Sequence, residues 1–516
     1  MRHVPRWAIM RLVGLTTVVV LTSAHVGSPD AWLEGSAGPY PVVVNVQVPG
    51  VVPGVANVYV RVTGDATSSV QRVLASGNIF DATAASPPPE VAEPVPGDPN
   101  LYHVGLWMMT PGSSSITVVV RGTRGVGKLV VPVVIVANQR LVLNRPLGIA
   151  LATLGVLLFL GIVSIAGAMA REAGLPRGAT PDPRRRRNAR LVMSVTAVVA
   201  AGLLFGGWTW WNVEDQQFRQ TLYKPMASRA AVRTRGGVPY LDFMITEPSW
   251  MQVHQLTNLT RGTLSAVTPL VRDHGKLMHL FLVRDPDRRV FLHLHPTTVD
   301  SITFPTPLPP VPAGHYRVFA DIVRESGYAE TMTTTVDLPP PTTTARPAPP
   351  VSDQDDAWFV GTPAIGDTAL LADGSVMHWT RGSTPIVVNR PAPLRFTVTD
   401  ARGRLVTLEP YMGMAAHAVI LRDDGAVFVH LHPTGTVSMG AQETFALRRA
   451  TDTVAGMIAR RMQADPGMGM MMAMPVMSNP VRFPYAFPKS GHYRIWVQVK
   501  RAGRILTGVF DTQVGM

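Results

Sequence analysis

The stretch HLFLVRDPDRRVFLHLHPT at residues 279–297 recurs as HAVILRDDGAVFVHLHPT at residues 417–434. In both stretches two apolar runs flank a short polar turn, which is typical of a β-hairpin. Matched GHYR segments follow each hairpin at a distance and open another apolar run. The repeats predict two related β-sandwich modules, which we place at residues 215–337 and 356–516.

Histidine recurs at matching positions of the two hairpins. Residues i and i+2 of a strand lie on the same face, so both histidines of each HLH motif point the same way. A tight turn places the histidine that opens each hairpin opposite the last one, and such cross-strand neighbours have β-carbons about 4.5–5.5 Å apart. Three imidazoles can therefore converge on one ion in each copy, with metal–nitrogen bonds of about 2.0–2.1 Å. The predicted metal ligands are His279, His293 and His295 in the first copy and His417, His430 and His432 in the second.

This arrangement is similar to the zinc site of carbonic anhydrases, where a third histidine joins an H-x-H pair from a neighbouring strand. The analogy concerns geometry and not activity. The alternative is that the histidines lie on a half-exposed sheet face or are buried and hydrogen-bonded to main chain. In the GHYR segments we expect Tyr316 and Tyr493 to be core residues, and His315 and His492 to face outward, so they are not among the predicted ligands.

Methionine is the second candidate ligand type. The second copy has an insertion that begins with a predicted amphipathic helix at 441–463 and runs into PGMGMMMAMPVMSNP. Thioethers are soft ligands that favour Cu(I), and the chain has no cysteine. The first copy should then prefer Zn²⁺ or Cu(II), and the second should also hold Cu(I). The alternatives are an adaptable apolar loop on a membrane or partner, or a low-complexity segment without a binding role. The candidate thioether ligands are Met412, Met414, Met468, Met470 and Met472.

Two uncharged apolar segments, 146–170 and 191–213, are long enough to cross a bilayer, which takes roughly 20 residues. The arginine-rich segment 171–190 between them predicts a cytoplasmic loop by the positive-inside rule, so the β domains face the periplasm of a bacterial inner membrane. This loop supplies much of the net charge of +13, which therefore does not indicate nucleic acid. Residues 1–24 are typical of a secretory signal peptide.

Residues 25–143 contain valine-rich alternating runs separated by Gly/Pro turns, which predict a further β-sandwich with a long surface loop at 87–100. A Pro/Thr-rich linker is predicted at 338–355. The fold class is therefore mainly β: three immunoglobulin-like β-sandwich domains plus two transmembrane helices.

Two resemblances carry functional expectations. The mature start HVGSPDAW ahead of a valine-rich sandwich resembles the CopC-like and YcnI-like periplasmic copper proteins, whose first histidine chelates copper; this implies that His25 is a copper ligand with Trp32 nearby. The GHYRIWVQVKRAGRILTGVFDTQV pattern resembles YtkA-like bacterial extracytoplasmic β-sandwich modules, most closely over 395–516 and less well over 240–337. That resemblance implies a fold and a link to metal handling, with no established reaction.

Together these features favour a membrane-anchored periplasmic protein that binds copper, with zinc as the second candidate ion, for sensing, buffering or transfer to another envelope protein. The alternative is a scaffold whose β-sandwiches bind another envelope protein without metal. A hydrolytic zinc enzyme ranks last, since it needs a general base beside an open coordination position and the repeats share no carboxylate next to the histidines.

Overall fold

The computed structural model describes residues 30–79, 87–140, 143–176, 178–255, 269–298, 300–340, 353–449, 451–452, 454–464 and 478–516. Within these ranges the chain is mainly β, with several sheets and two long apolar helices, as the sequence predicts. The number of immunoglobulin-like domains stays a prediction. The expected signal peptide lies outside the described residues.

The amino-terminal domain is built from eight strands around one valine-rich core. They are β1 (Asp30–Ala37), β2 (Tyr40–Gln47), β3 (Gly54–Val62), β4 (Val70–Ile79), β5 (Glu90–Val95), β6 (Asp98–Met108), β7 (Gly112–Gly122) and β8 (Gly125–Ile135). The hydrogen-bonded order is β1-β2-β3-β6-β5-β4-β7-β8. The loop prediction for 87–100 is wrong in part, because β5 pairs with both β4 and β6.

Two helices follow, α1 (Arg145–Glu172) and α2 (Pro183–Thr221), each long and apolar enough to cross a membrane. Their apolar side chains are largely exposed, as lipid-facing side chains would be. Helix α2 begins earlier than the predicted span because Asp182 caps it, accepting a hydrogen bond from the Arg185 N–H at 2.7 Å, and proline occupies the first turn. Most arginines of the expected loop 171–190 therefore belong to a helix.

The first module contains two sheets. Its elements are β9 (Ser228–Arg235), β10 (Val238–Ile245), α3 (Pro248–Gln255), β11 (Leu270–Val271), β12 (His279–Arg284), β13 (Val290–Leu294), β14 (Thr303–Pro307), β15 (Gly314–Arg324) and β16 (Ala329–Leu338). One sheet has the order β14-β10-β9; in the other, β15 pairs with β16, β12 and β11, and β12 pairs with β13. The repeated stretch is thus the β12–β13 hairpin that the sequence predicts.

The second module repeats this plan. The elements that follow the linker are β17 (Ala357–Val360), β18 (Thr368–Leu370), β19 (Val376–Trp379), β20 (Arg395–Thr399), β21 (His417–Arg422), β22 (Phe428–Leu431), α4 (Met439–Leu447), α5 (Met457–Ala464), β23 (Val481–Arg482), β24 (Gly491–Arg501) and β25 (Arg504–Val514). The sheet orders are β18-β19-β20-β23 and β22-β21-β24-β25. The predicted helix 441–463 is two helices, α4 and α5.

Strand β17 does not belong to the sheets of the second module. It pairs antiparallel with β13, so it completes the hairpin sheet of the first module although it lies beyond the linker. The predicted boundary at residue 356 is therefore wrong: the second module's own sheets begin at β18, and the chain re-enters the first module before leaving it.

The two modules pack through their hairpin sheets, and their contacts come in matched pairs. Trp496 of the second module stacks on Phe291 of the first, with ring centroids 4.9 Å apart. At the equivalent positions, Phe319 of the first module stacks on Phe428 of the second at 4.1 Å. The GHYR arginines likewise donate to main-chain carbonyls in the opposite hairpin turn: Arg494 to Asp287 and Arg288, and Arg317 to Asp423. The interface therefore has approximate two-fold symmetry.

Candidate metal centre

The repeated histidines lie on the faces that meet at this interface. Alternation along β12 places Leu280 and Leu282 in the core of the first module, and His279 and Phe281 against the second module. All six predicted histidine ligands are buried, with at most 8% exposed. The alternative of a half-exposed sheet face is therefore wrong, because each module covers the histidine face of the other.

In the first module the three predicted rings converge. His293 Nε2 lies 3.1 Å from His279 Nδ1 and 3.1 Å from His295 Nε2. The register explains this geometry, since Leu280 pairs with Leu294 and the next pair toward the hairpin's open end is His279 opposite His295. We call these three histidines the first triad.

The other nitrogen of each ring in the first triad faces an acceptor. His293 Nδ1 donates to Gln498 Oε1 at 2.8 Å, and His279 Nε2 donates to the carbonyl of Asp273 at 3.2 Å. His295 Nδ1 donates to Asp356 Oδ1 at 3.0 Å. A neutral imidazole carries a single N–H, so the three inward nitrogens present lone pairs to one another.

A second triad forms across the interface. His274 of the first module joins His417 and His432 of the second, with ligand nitrogens within 4.8 Å of one another. His274 Nδ1 donates to the carbonyl of Met412 at 3.0 Å, which leaves Nε2 for a ligand. Both ring nitrogens of His417 and of His432 have no hydrogen-bond partner among the described residues. His274 thus occupies the third ligand position of the second triad, which the sequence predicts for His430.

His430 lies between the triads instead of within one. Its ring centroid is 5.0 Å from that of His279 and 4.6 Å from that of His432. Its Nδ1 is 3.6 Å from a carboxylate oxygen of Asp321, and its Nε2 has no partner among the described residues. His430 is therefore adjacent to both triads.

Burial sets the protonation of the cluster. It holds the pKa values of His279, His293, His417, His430 and His432 well below their usual range, and neighbouring histidine rings lower them further. Burial also lowers the pKa of His274. At neutral pH these rings are uncharged, which is the form that binds a metal ion.

The sequence does not predict His274 as a ligand, nor Asp273, Asp356 and Gln498 as acceptors for the histidine rings. A signal for His274 does exist: it occupies a DHGK turn that matches YMGM in the second copy, and His274 and Met412 both adopt φ of 51° with a glycine next. Such a turn fixes where a side chain projects. Nothing in the local sequence indicates that it projects into the other module.

The remaining candidate residues occupy several different environments. Met412 reaches the site through its carbonyl, and Met414 is buried in the second module. His315 and His492 face outward, where Asp337 and Asp423 accept from them. Trp32 packs in the core of the second module, and its main-chain N–H donates to the Thr436 hydroxyl. The candidates outside the described residues are His25, Met468, Met470 and Met472.

A family model described as a domain of unknown function, DUF8832, matches residues 370–515, which lie within the second module. No significant match to a curated protein was found. The sequence match therefore supplies no activity, and it covers less than half of the chain.

Among solved structures, the chain is similar to Salmonella alpha-2-macroglobulin reacted with methylamine, at 8% identity and a TM-score of 0.18 over 95% of this chain and 24% of that chain. It spans only about a quarter of that protein. A tetra-tandem repeat from the extending region of a large adhesion protein matches at 9% identity and a TM-score of 0.15, over 90% of this chain and 97% of that chain. With TM-scores this low, neither likeness bears on fold or function.

Proposed function

We propose that the protein is a membrane-anchored metal-binding protein whose centre is the buried histidine cluster between the two modules. The observation that carries the proposal is the first triad: three rings turn a nitrogen toward one point while the other nitrogen of each ring faces an acceptor outside the triad. Metal-bound histidines have this arrangement, because the outer hydrogen bond fixes the tautomer and the ring orientation. Tetrahedral zinc with bonds of about 2.05 Å would separate its ligands by about 3.3 Å, close to the 3.1 Å found.

Copper is the favoured ion, with zinc second. Imidazole suits both, and an all-histidine donor set agrees with Cu(II) or Zn²⁺. The methionine-rich segment, where Cu(I) would be held, lies outside the described residues. In the cell we place the β domains on the periplasmic side of a bacterial inner membrane, because the arginines cluster between the apolar stretches of the two helices, mostly in the first turns of α2. Sensing, buffering or transfer of the ion to another envelope protein would suit such an anchored site.

The test is a titration of the metal-free full-length protein in detergent micelles with Cu²⁺ and separately with Zn²⁺. Replacing His279, His293 and His295 together by alanine should abolish one equivalent of high-affinity binding. A single His293→Gln variant, which preserves more of the packing, should weaken the same site in case the triple variant does not fold.

The matched control replaces His315 and His492 by alanine, since these histidines recur in both copies but lie outside the cluster. Their loss should leave both isotherms unchanged. If the wild-type protein binds neither ion, or if the triad variants bind like wild type, the metal function is refuted and the protein-binding scaffold becomes the better reading.

Asp356 provides a second prediction. Its Oδ1 accepts from both the main-chain N–H of His295, at 2.8 Å, and the ring Nδ1, at 3.0 Å. Asp356→Ala should weaken binding at the first triad by about 10–100-fold in a chelator competition assay, because the ring loses the acceptor that orients it. Asp356→Asn keeps an acceptor oxygen and should lose less. Asp337→Ala, which breaks the exposed His315–Asp337 pair, should leave affinity unchanged.

A further inference from the structure

A cavity of about 160 Å³ lies where the amino-terminal domain meets both modules. We call it the vestibule. It is large enough for about five water molecules at about 30 Å³ each. The rings of His430 and His432 line its inner wall, and no described residue offers a hydrogen-bond partner to His430 Nε2 or to either ring nitrogen of His432. Its acidic lining residues are Asp30, Asp273, Asp321 and Glu330, and no described lining residue is lysine or arginine. Arg324 pairs with Glu330, and burial raises the pKa of Asp30 to about 6 and that of Asp321 to about 7, so the cavity is most negatively charged above about pH 7.

The approximate two-fold symmetry supplies an internal comparison. Asp321 and Gln498 occupy equivalent positions, each paired with the histidine that opens the hairpin of its module. Gln498 is 1% exposed and accepts from His293. The Asp321 side chain is 22% exposed, lines the vestibule and approaches His430. One side of the centre is therefore closed by a neutral amide, whereas the other opens to a cavity through a carboxylate.

We propose that the vestibule is the access route for a divalent cation and that Asp321 and His430 are its first protein ligands. This inference rests on the proposed metal function. A partly exposed carboxylate can take a hydrated cation from solvent, and an acidic cavity with low-dielectric walls raises the local cation concentration. His430 can then accept the ion and, because its ring neighbours both triads, pass it to either.

Stopped-flow mixing of Cu²⁺ with the metal-free full-length protein, followed by quenching of tryptophan fluorescence, tests the route. At about pH 8, where the Asp321 carboxyl with its raised pKa of about 7 is ionised, Asp321→Asn removes the charge but keeps the shape, and association should slow by about tenfold or more while the final stoichiometry is unchanged. Val48→Trp places bulk in the vestibule from the amino-terminal domain, away from the histidines, and should also slow association. Asp337→Asn, an equal charge change on the outer surface, should leave the rate at the wild-type value.

The outcomes separate this inference from the function it rests on. A wild-type protein that takes up neither Cu²⁺ nor, in the titration described above, Zn²⁺ overturns both. If the wild-type protein binds but Asp321→Asn or Val48→Trp associates at the wild-type rate, the access route is wrong and the metal function stands. If Asp321→Asn lowers the stoichiometry without slowing association, Asp321 holds a resident ion and the route is likewise wrong.

Discussion

Acidification of the metal-free protein below about pH 6.5, the usual histidine pKa in an unfolded chain, is expected to unfold the paired modules. Burial holds the pKa values of five cluster histidines well below that value. Below about pH 6.5 the histidines of the unfolded chain therefore bind protons, whereas those of the folded cluster do not. The stability present above pH 6.5 is lost as the pH falls. Each such histidine contributes about 1.4 kcal/mol per pH unit.

Five histidines acting together would lower the free energy of unfolding by up to about 7 kcal/mol per pH unit, which is comparable to the whole stability of a typical domain, about 5–15 kcal/mol. Urea unfolding followed by tryptophan fluorescence between about pH 7.5 and 5 measures the net slope. The buried carboxyls of Asp30, Asp321 and Glu443, whose pKa values burial raises to about 6, 7 and 7, take up protons in the folded state over the same range and reduce this slope. A His315→Gln/His492→Gln variant should keep the full slope, because these side chains are exposed. Stability that does not change down to about pH 5 would contradict the prediction.

Trp496→Ala is expected to have the largest effect of any single substitution at the interface. Trp496 is fully buried and stacks on Phe291 of the other module. Replacing a buried tryptophan by alanine costs about 3–5 kcal/mol, through lost burial and the cavity that remains. Because Gln498 lies on the same strand and both triads depend on the docking of the modules, Cu²⁺ affinity should fall as well, although Trp496 is not a ligand.

The matched control is Trp107→Ala, at an exposed strand position of the amino-terminal domain. It should change stability by less than about 0.5 kcal/mol and leave Cu²⁺ binding intact. Equilibrium unfolding and metal titration of both variants measure the stability and the Cu²⁺ affinity that this prediction concerns. A Trp496→Ala protein with wild-type stability and affinity would mean that the modules do not depend on this contact.

Local periodicity accounts for what the sequence predicts well. The alternation in the repeated stretches and their short turns determine the hairpins, and through them the pairing of Ala418 with Leu431, which places His417 opposite His432. The convergence of the first triad follows from the same reasoning. The two apolar helices are equally local, since hydropathy alone identifies them.

Contacts between distant segments account for what the sequence does not predict. His274 joins histidines more than a hundred residues away, and β17 returns to the first module after the linker. Neither contact corresponds to a periodic pattern in the sequence, because each depends on how the two modules pack together. The expectation of one self-contained site per copy fails for the same reason: His430 faces Asp321 of the other module, while His274 takes its place.

The paired contacts of the interface have a further consequence. Two identical subunits related by a two-fold axis make an isologous interface, in which every contact occurs twice. A homodimer of that kind must carry the same residue at both equivalent positions. Covalent fusion removes this constraint, so one half of this chain keeps Asp321 and His274 where the other has Gln498 and Met412. Tandem duplication thereby makes the two sides of the centre chemically different, which a symmetric dimer of a single module could not do.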